Sequence, residues 1–112
     1  MSREEMLEDV KSLINENKIM LFMKGTAAAP MCGFSAATIE VLKKFDKPFG
    51  DKNVLENPEY RFVLSEHSNW PTIPQLFVNG EFVGGCDIVH DLYKSGELKQ
   101  LVEKAFAEVA GQ

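Results

Sequence analysis

Apolar side chains return at helical spacing from the start of the chain, with Met6, Leu7, Val10, Leu13 and Ile14 on one stripe and charged residues between them. Ser2 and Glu5 stand just ahead in the S-x-x-E order whose hydroxyl and carboxylate cap a first helical turn reciprocally. A helix is therefore predicted from that box to about Glu16. The pattern then loses its polar positions: Ile19-Met20-Leu21-Phe22-Met23 lies unbroken between Lys18 and Lys24, which suits a central strand buried on both faces. Gly25 through Met31 is a small-residue loop closed by Pro30. Phe34, Ala37, Ile39, Val41, Leu42 and Phe45 then restore a helical stripe, which the approach of Pro48 ends near Asp46.

Phe49 and Val54 flank the polar run Gly50-Asp51-Lys52-Asn53, which predicts a short edge strand over 49–54. Asn57-Pro58 reads as an N-cap with proline at the first helical position, opening a helix through Tyr60, Phe62, Val63, Leu64 and His67 that Asn69-Trp70-Pro71 stops. Gln75-Leu76-Phe77-Val78 and Glu81-Phe82-Val83 flank Asn79-Gly80, a pair suited to the type I′ turn of a β-hairpin. After the turn Gly84-Gly85-Cys86-Asp87, Asp87 is expected to cap a helix carrying Ile88, Val89, Leu92 and Tyr93, with Gly96 as its C′ residue. Leu98, Leu101, Val102, Ala105 and Phe106 form the stripe of a last helix from Glu97 to Ala110.

A β-α-β crossover makes two strands parallel and the hairpin adds two antiparallel ones. The economical packing is an α/β domain over 1–112, a four-stranded mixed sheet flanked by helices, which is the architecture of a thioredoxin-like fold.

Composition narrows the partners. A chain of 112 residues can bury roughly two-thirds of its unfolded surface around one core without a disulfide staple. The net charge of −5 and the scatter of the 12 Lys and Arg argue against nucleic acid as a partner. The acidic start lacks the apolar stretch of a signal peptide, and Ile19 to Met23 is far too short to cross a bilayer. With no export signal and two widely separated cysteines, the expectation is a reducing compartment: the cytoplasm, or the mitochondrial matrix for a processed eukaryotic protein.

The chemistry concentrates at Cys32. It follows a small-residue loop and precedes a helical stripe, so its sulfur would face unpaired backbone N–H groups and the positive end of a helix dipole, both of which lower a cysteine pKa. The spacing is that of C-x-x-C, but Ser35 stands second, and its hydroxyl cannot close a disulfide with Cys32. The competing reading is a small hydrophobe packed in a core. Pro74 opens a strand and is a candidate cis proline, which would leave the main chain of Ile73 beside Cys32 to pair with an extended peptide-like ligand. His67 and His90 show no metal-ligand spacing to either cysteine and are expected on helix faces.

Met23-Lys24-Gly25, Cys32-Gly33-Phe34-Ser35, Trp70-Pro71-Thr72-Ile73-Pro74-Gln75 and Gly84-Gly85-Cys86-Asp87 occur in this order, and together they resemble a monothiol glutaredoxin of the CGFS class over roughly residues 5 to 106. The resemblance implies glutathione binding and a [2Fe–2S] cluster that bridges a homodimer and is carried to apo iron–sulfur proteins. Cys32 would be both the catalytic thiol and the metal ligand. A [2Fe–2S] centre is normally held by four thiolates, and two chains with two glutathiones supply them. Lys24 and Arg61 match the family positions that meet the glycyl carboxylate, and Thr72 and Ile73 the contact to the cysteinyl part. The backbone of Cys86 and Asp87 matches the γ-glutamyl contact, and the Asp87 carboxylate can accept from the amine. The resemblance implies a structural thiol at Cys86. Slow disulfide formation with Cys32 or its glutathionylated form is the rival, and two copies each of Cys32 and Cys86 would also make four sulfurs. A glutathione-dependent thiol–disulfide oxidoreductase and an adaptor for BolA-like proteins are the alternative activities. The loop over 26–30 is blander, and the 50–53 segment more polar, than is usual in that class.

Overall fold

The computed structural model describes residues 1–110. Helix α1 (Arg3–Glu16) opens on the expected capping box: Ser2 Oγ accepts the Glu5 N–H at 3.1 Å and the Glu5 carboxylate accepts the Ser2 N–H at 2.7 Å. Strand β1 (Ile19–Met23) is buried at every residue because it lies inside the sheet, between β2 (Gly50–Asn53) and β3 (Gln75–Val78). It runs parallel to β2 and antiparallel to β3, and β4 (Glu81–Gly84) completes the order β2-β1-β3-β4. The two faces of β1 explain its unbroken apolar run. Ile19, Leu21 and Met23 join Ile39, Leu42, Val89, Leu98 and Val102, from α2 (Gly33–Lys43), α4 (Cys86–Ser95) and α5 (Glu97–Ala110). Met20 and Phe22 join Met6, Val10 and Ile14 of α1 and Tyr60, Val63 and Leu64 of α3 (Tyr60–Ser68). Three layers result, with the mixed sheet in the middle, and this is the thioredoxin-like architecture expected.

The hairpin forms as the Asn-Gly pair requires, with Asn79 and Gly80 both at positive φ (53° and 82°). Gly96 ends α4 in the left-handed region, as expected. Four boundaries differ from the sequence reading. Helix α2 stops at Lys43, and Lys44 to Asp46 leave it through tightened turns in which Asp46 takes φ 53°. A 3-10 turn, Val54–Glu56, follows β2 because Asn53 Oδ1 accepts the Leu55 N–H at 3.0 Å. Asn57 does cap, taking the Glu59 N–H on Oδ1 at 3.0 Å, but Pro58 and Glu59 form a turn and the regular helix begins at Tyr60. Asp87 is not the cap of α4: Gly85 is, and Asp87 sits inside the first turn without a side-chain capping bond.

Candidate functional site

The site is built where β1 leaves the sheet. Gly25 has φ 89°, and a Cβ there would lie 2.5 Å from the Ala29 oxygen and 2.6 Å from the Met31 nitrogen, so the chain can double back only through glycine. The Met31 N–H returns to the Lys24 carbonyl at 2.9 Å and Gly25 bridges Pro30. Asn53, at the end of β2, braces the loop by accepting the Gly25 N–H at 2.9 Å.

That loop sets Cys32 at the N-cap of α2 in extended backbone, φ −153° and ψ 137°. Its carbonyl accepts the Ala36 N–H at 2.9 Å, while its side chain makes no capping bond of the Ser or Asp kind. The thiol is held below the ordinary cysteine range first by the Ser35 backbone N–H, with smaller help from the Phe34 N–H, the Lys24 charge and the Ser35 hydroxyl; burial opposes them. Cys32 is half-buried, and so is not packed away as a core residue. Ser35 has a structural task as well: fully buried, its Oγ accepts the Lys24 N–H at 3.1 Å and pins the first turn of α2 to the end of β1.

Across from Cys32 the chain enters β3 through a cis Ile73–Pro74 peptide, as the sequence led us to expect. The segment is tied from inside. Gln75, fully buried, donates from Nε2 to the Trp70 carbonyl at 3.0 Å and the Thr72 carbonyl at 3.1 Å. Trp70 packs against Phe82 at 5.4 Å between ring centroids and also lines the hollow, so it serves core and wall together. Gly85 lets this segment close on the start of α4, since a Cβ there would come 3.2 Å from Trp70 Nε1 and 3.3 Å from the Pro74 oxygen.

Between these elements lies a hollow of about 560 Å³. Lys24, Cys32, Arg61, Thr72, Ile73, Cys86 and Asp87, the seven residues singled out on sequence, all line it, with Trp70 and Phe34 beside them. Among the described residues neither Lys24 nor Arg61 is engaged in an ion pair, and Arg61 lies over the Phe62 ring at 5.3 Å. The hollow thus gathers a nucleophilic sulfur, two cations without an ion-pair partner among the described residues and a helix N-terminus, a set suited to a small anionic peptide with a thiol.

Comparison with known proteins fixes the family. Residues 19–83 match the glutaredoxin family. A probable monothiol glutaredoxin 2 of Rickettsia felis is 48% identical over 103 residues, covering 92% of this chain and 99% of that protein. The chain belongs to the monothiol glutaredoxins. The chloroplastic monothiol glutaredoxin-S14 of Arabidopsis thaliana is 50% identical over 101 residues, and this chain's match covers 90% of itself but only 58% of that longer protein. Among solved structures, reduced poplar apo GrxS14 superposes on this glutaredoxin with a TM-score of 0.81 at 48% identity, over 89% of this chain and 92% of that one.

Two features of this glutaredoxin were not read from its sequence. Gln75 looks there like the opening residue of a strand, and only its burial shows that it anchors the wall of the hollow. His90 lies on a helix face, as expected, but one turn after Cys86, its Nδ1 2.9 Å from the Cys86 carbonyl oxygen and 3.6 Å from Cys86 Sγ, a contact that the sequence reading did not include. The signal was the i, i+4 spacing, which puts both side chains on one helix face. His67 lies away from the hollow, near Arg3 and Glu66. No three His, Cys, Asp or Glu side chains are grouped to hold a metal ion among the described residues, and no helix there is long and apolar enough to cross a membrane.

Proposed function

We propose that this chain binds glutathione in the hollow and, as a homodimer, carries a [2Fe–2S] cluster ligated by Cys32 and glutathione from each protomer, delivering it to apo iron–sulfur proteins. The observation that carries the reading is Cys32 itself: a thiol with a depressed pKa, at an accessible helix N-terminus, with a serine where an internal disulfide partner would stand.

Glutathione offers two carboxylates, an amine and a thiol, and the lining residues answer them in kind. Lys24 and Arg61 take the glycyl carboxylate, Arg61 through its planar fork. The main chain at Thr72 and Ile73 pairs with the cysteinyl portion. The first N–H groups of α4, at Cys86 and Asp87, take the γ-glutamyl carboxylate, and the Asp87 side chain accepts from the amine.

The cluster is cargo, and the donor set fits it. One chain brings Cys32 at a helix terminus, and four thiolates are needed, so a second chain contributes its own Cys32, and in this reading a glutathione from each protomer supplies the remaining two. Cys86, half-buried and lining the same hollow, is left out of the ligand set in this reading. Replacing Cys86→Ser should leave glutathione-dependent cluster assembly intact. BolA-like partners would dock on the same face, where Met31 and Phe34 are exposed.

The depressed Cys32 pKa also favours a second activity. Cys32 attacks a glutathionylated thiol, takes the glutathionyl group and releases the free thiol; external glutathione, since Ser35 cannot, then attacks the new disulfide, frees the Cys32 thiol and leaves as oxidised glutathione.

The binding step is tested by titrating the reduced protein with glutathione while following emission of Trp70, the single tryptophan, which lines the hollow. Saturable binding that weakens at least about tenfold in Arg61→Ala, the cost of a charge-assisted hydrogen bond, supports the reading; binding unaffected by both Arg61→Ala and Lys24→Ala contradicts it.

A further inference from the structure

Cys86 and His90 form a thiol–imidazole pair outside the residues that the proposed function uses through their side chains. Cys86 is the first residue of α4 and His90 follows one turn later on the same face. A carbonyl oxygen only accepts, so the 2.9 Å contact to the Cys86 carbonyl puts a hydrogen on His90 Nδ1, and the same N–H stands 3.6 Å from Cys86 Sγ. The imidazole is oriented by the backbone and in turn limits the directions the sulfur can take. A second hollow, of about 530 Å³, opens beside the first, and Cys32, Phe34, Cys86 and His90 line it. Cys86 lines both hollows, so the residue lies on the boundary between them.

We infer that Cys86, positioned by His90, is a second modification site that accepts a thiol-sized group from low-molecular-weight disulfides such as oxidised glutathione. The Cys86 sulfur attacks one sulfur of the disulfide, the original S–S bond breaks, a mixed disulfide forms on Cys86, and the other half leaves as a thiol with the proton that Cys86 gave up. No further oxidant is required. The open hollow beside the sulfur gives the incoming group room, and His90 is a positioning residue for the exchange. A group attached at the boundary would obstruct the first hollow; this consequence rests on the glutathione site proposed above, whereas the exchange itself does not.

The test uses the full chain carrying Cys32→Ser, treated with oxidised glutathione and followed by intact mass and peptide mapping. One adduct on Cys86 is expected. It should form about three- to tenfold more slowly when His90→Leu is added, the range of a single hydrogen bond, and His90→Gln, which keeps an N–H donor, should restore most of the rate. Thermal midpoints of the three proteins separate positioning from unfolding, and should His90→Leu fail to fold, His90→Gln against His90→Ala is the comparison. Absence of the Cys86 adduct, or equal rates with and without the position-90 donor, overturns the inference. Glutathione titration of the same Cys32→Ser protein before and after adduct formation reads the obstruction separately. An adduct that forms without changing an otherwise normal titration removes only the consequence. Failure of the parent protein, with Cys32 intact, to bind glutathione counts against the proposed function, while the adduct still stands.

Discussion

Gln75→Leu is the substitution that tests how the wall of the hollow is held. Gln75 is fully buried, and its Nε2 donates to the Trp70 and Thr72 carbonyls at 3.0 and 3.1 Å, with Ser65 Oγ at 3.4 Å. Leucine keeps similar bulk but gives both carbonyls up. A buried acceptor left without its donor costs about 1–3 kcal/mol. Trp70 is only half-buried and Thr72 exposed, so water can recover part of each loss. Gln75 Oε1 is buried without a hydrogen-bond partner, and leucine removes that burden. The net loss is therefore about 1–2 kcal/mol, which for a domain of this size lowers the thermal midpoint by roughly 4–8 °C. The freed segment carries Thr72 and Ile73, so glutathione affinity should fall as well. Val10→Ala is the control: it costs a similar amount, about 2 kcal/mol, by opening a cavity beneath α1 without touching the hydrogen bonds of Gln75. Thermal denaturation and the Trp70 titration are measured on both variants. A Gln75→Leu midpoint within about 1 °C of the parent, or an affinity loss no greater than that of Val10→Ala, refutes the anchoring role.

Alkylation of Cys32 with iodoacetamide should have its midpoint below the ordinary thiol range, and Ser35→Ala should move it upward by removing the hydroxyl contribution. Because the folded-state value is the lower one, ionised Cys32 adds stability that is fully present above the unfolded thiol's pKa and is lost as pH falls through the folded value. Tyr60→Phe removes a 2.7 Å hydrogen bond to Asp9 Oδ2, which also faces Lys52 at 3.6 Å, and should cost about 1–2 kcal/mol in a urea melt. Burial, then the Asp9 carboxylate, raises the Tyr60 pKa, so its hydroxyl should stay protonated through alkaline titration and add no tyrosinate absorbance until the protein unfolds. Gly25→Ala forces a left-handed alanine into the Ala29 carbonyl and should cost about 2 kcal/mol or more; because that loop delivers Cys32, the alkylation midpoint should shift too.

The layers of the fold were legible wherever one local pattern admitted one arrangement. The apolar run of β1 needs covering on both faces, the Ser2–Glu5 box fixes a helix start, and Asn79-Gly80 fits a type I′ turn. The starts of α3 and α4 were less legible because they depend on competing partners. Asn57 caps a turn before the helix becomes regular, and at α4 the extended Gly85 takes the cap position ahead of Asp87. At the site, the sequence brought forward residues whose chemistry is unusual in type or motif, and they do share one hollow. It did not reveal Gln75, whose role depends on which carbonyls lie within reach of a buried amide. Nor did it reveal His90, whose contact with Cys86 depends on a rotamer that spacing permits but does not choose.

The central claim is that Cys32 and glutathione together hold a shared cluster. Its most direct test is anaerobic reconstitution with iron, sulfide and glutathione, read by visible absorbance and by mass from gel filtration on the same sample. A coloured dimer that fails to form without glutathione or with Cys32→Ser, and forms normally with Cys86→Ser, is the predicted result. A colourless monomer with brisk disulfide reductase turnover, or a cluster that assembles without Cys32, would contradict it.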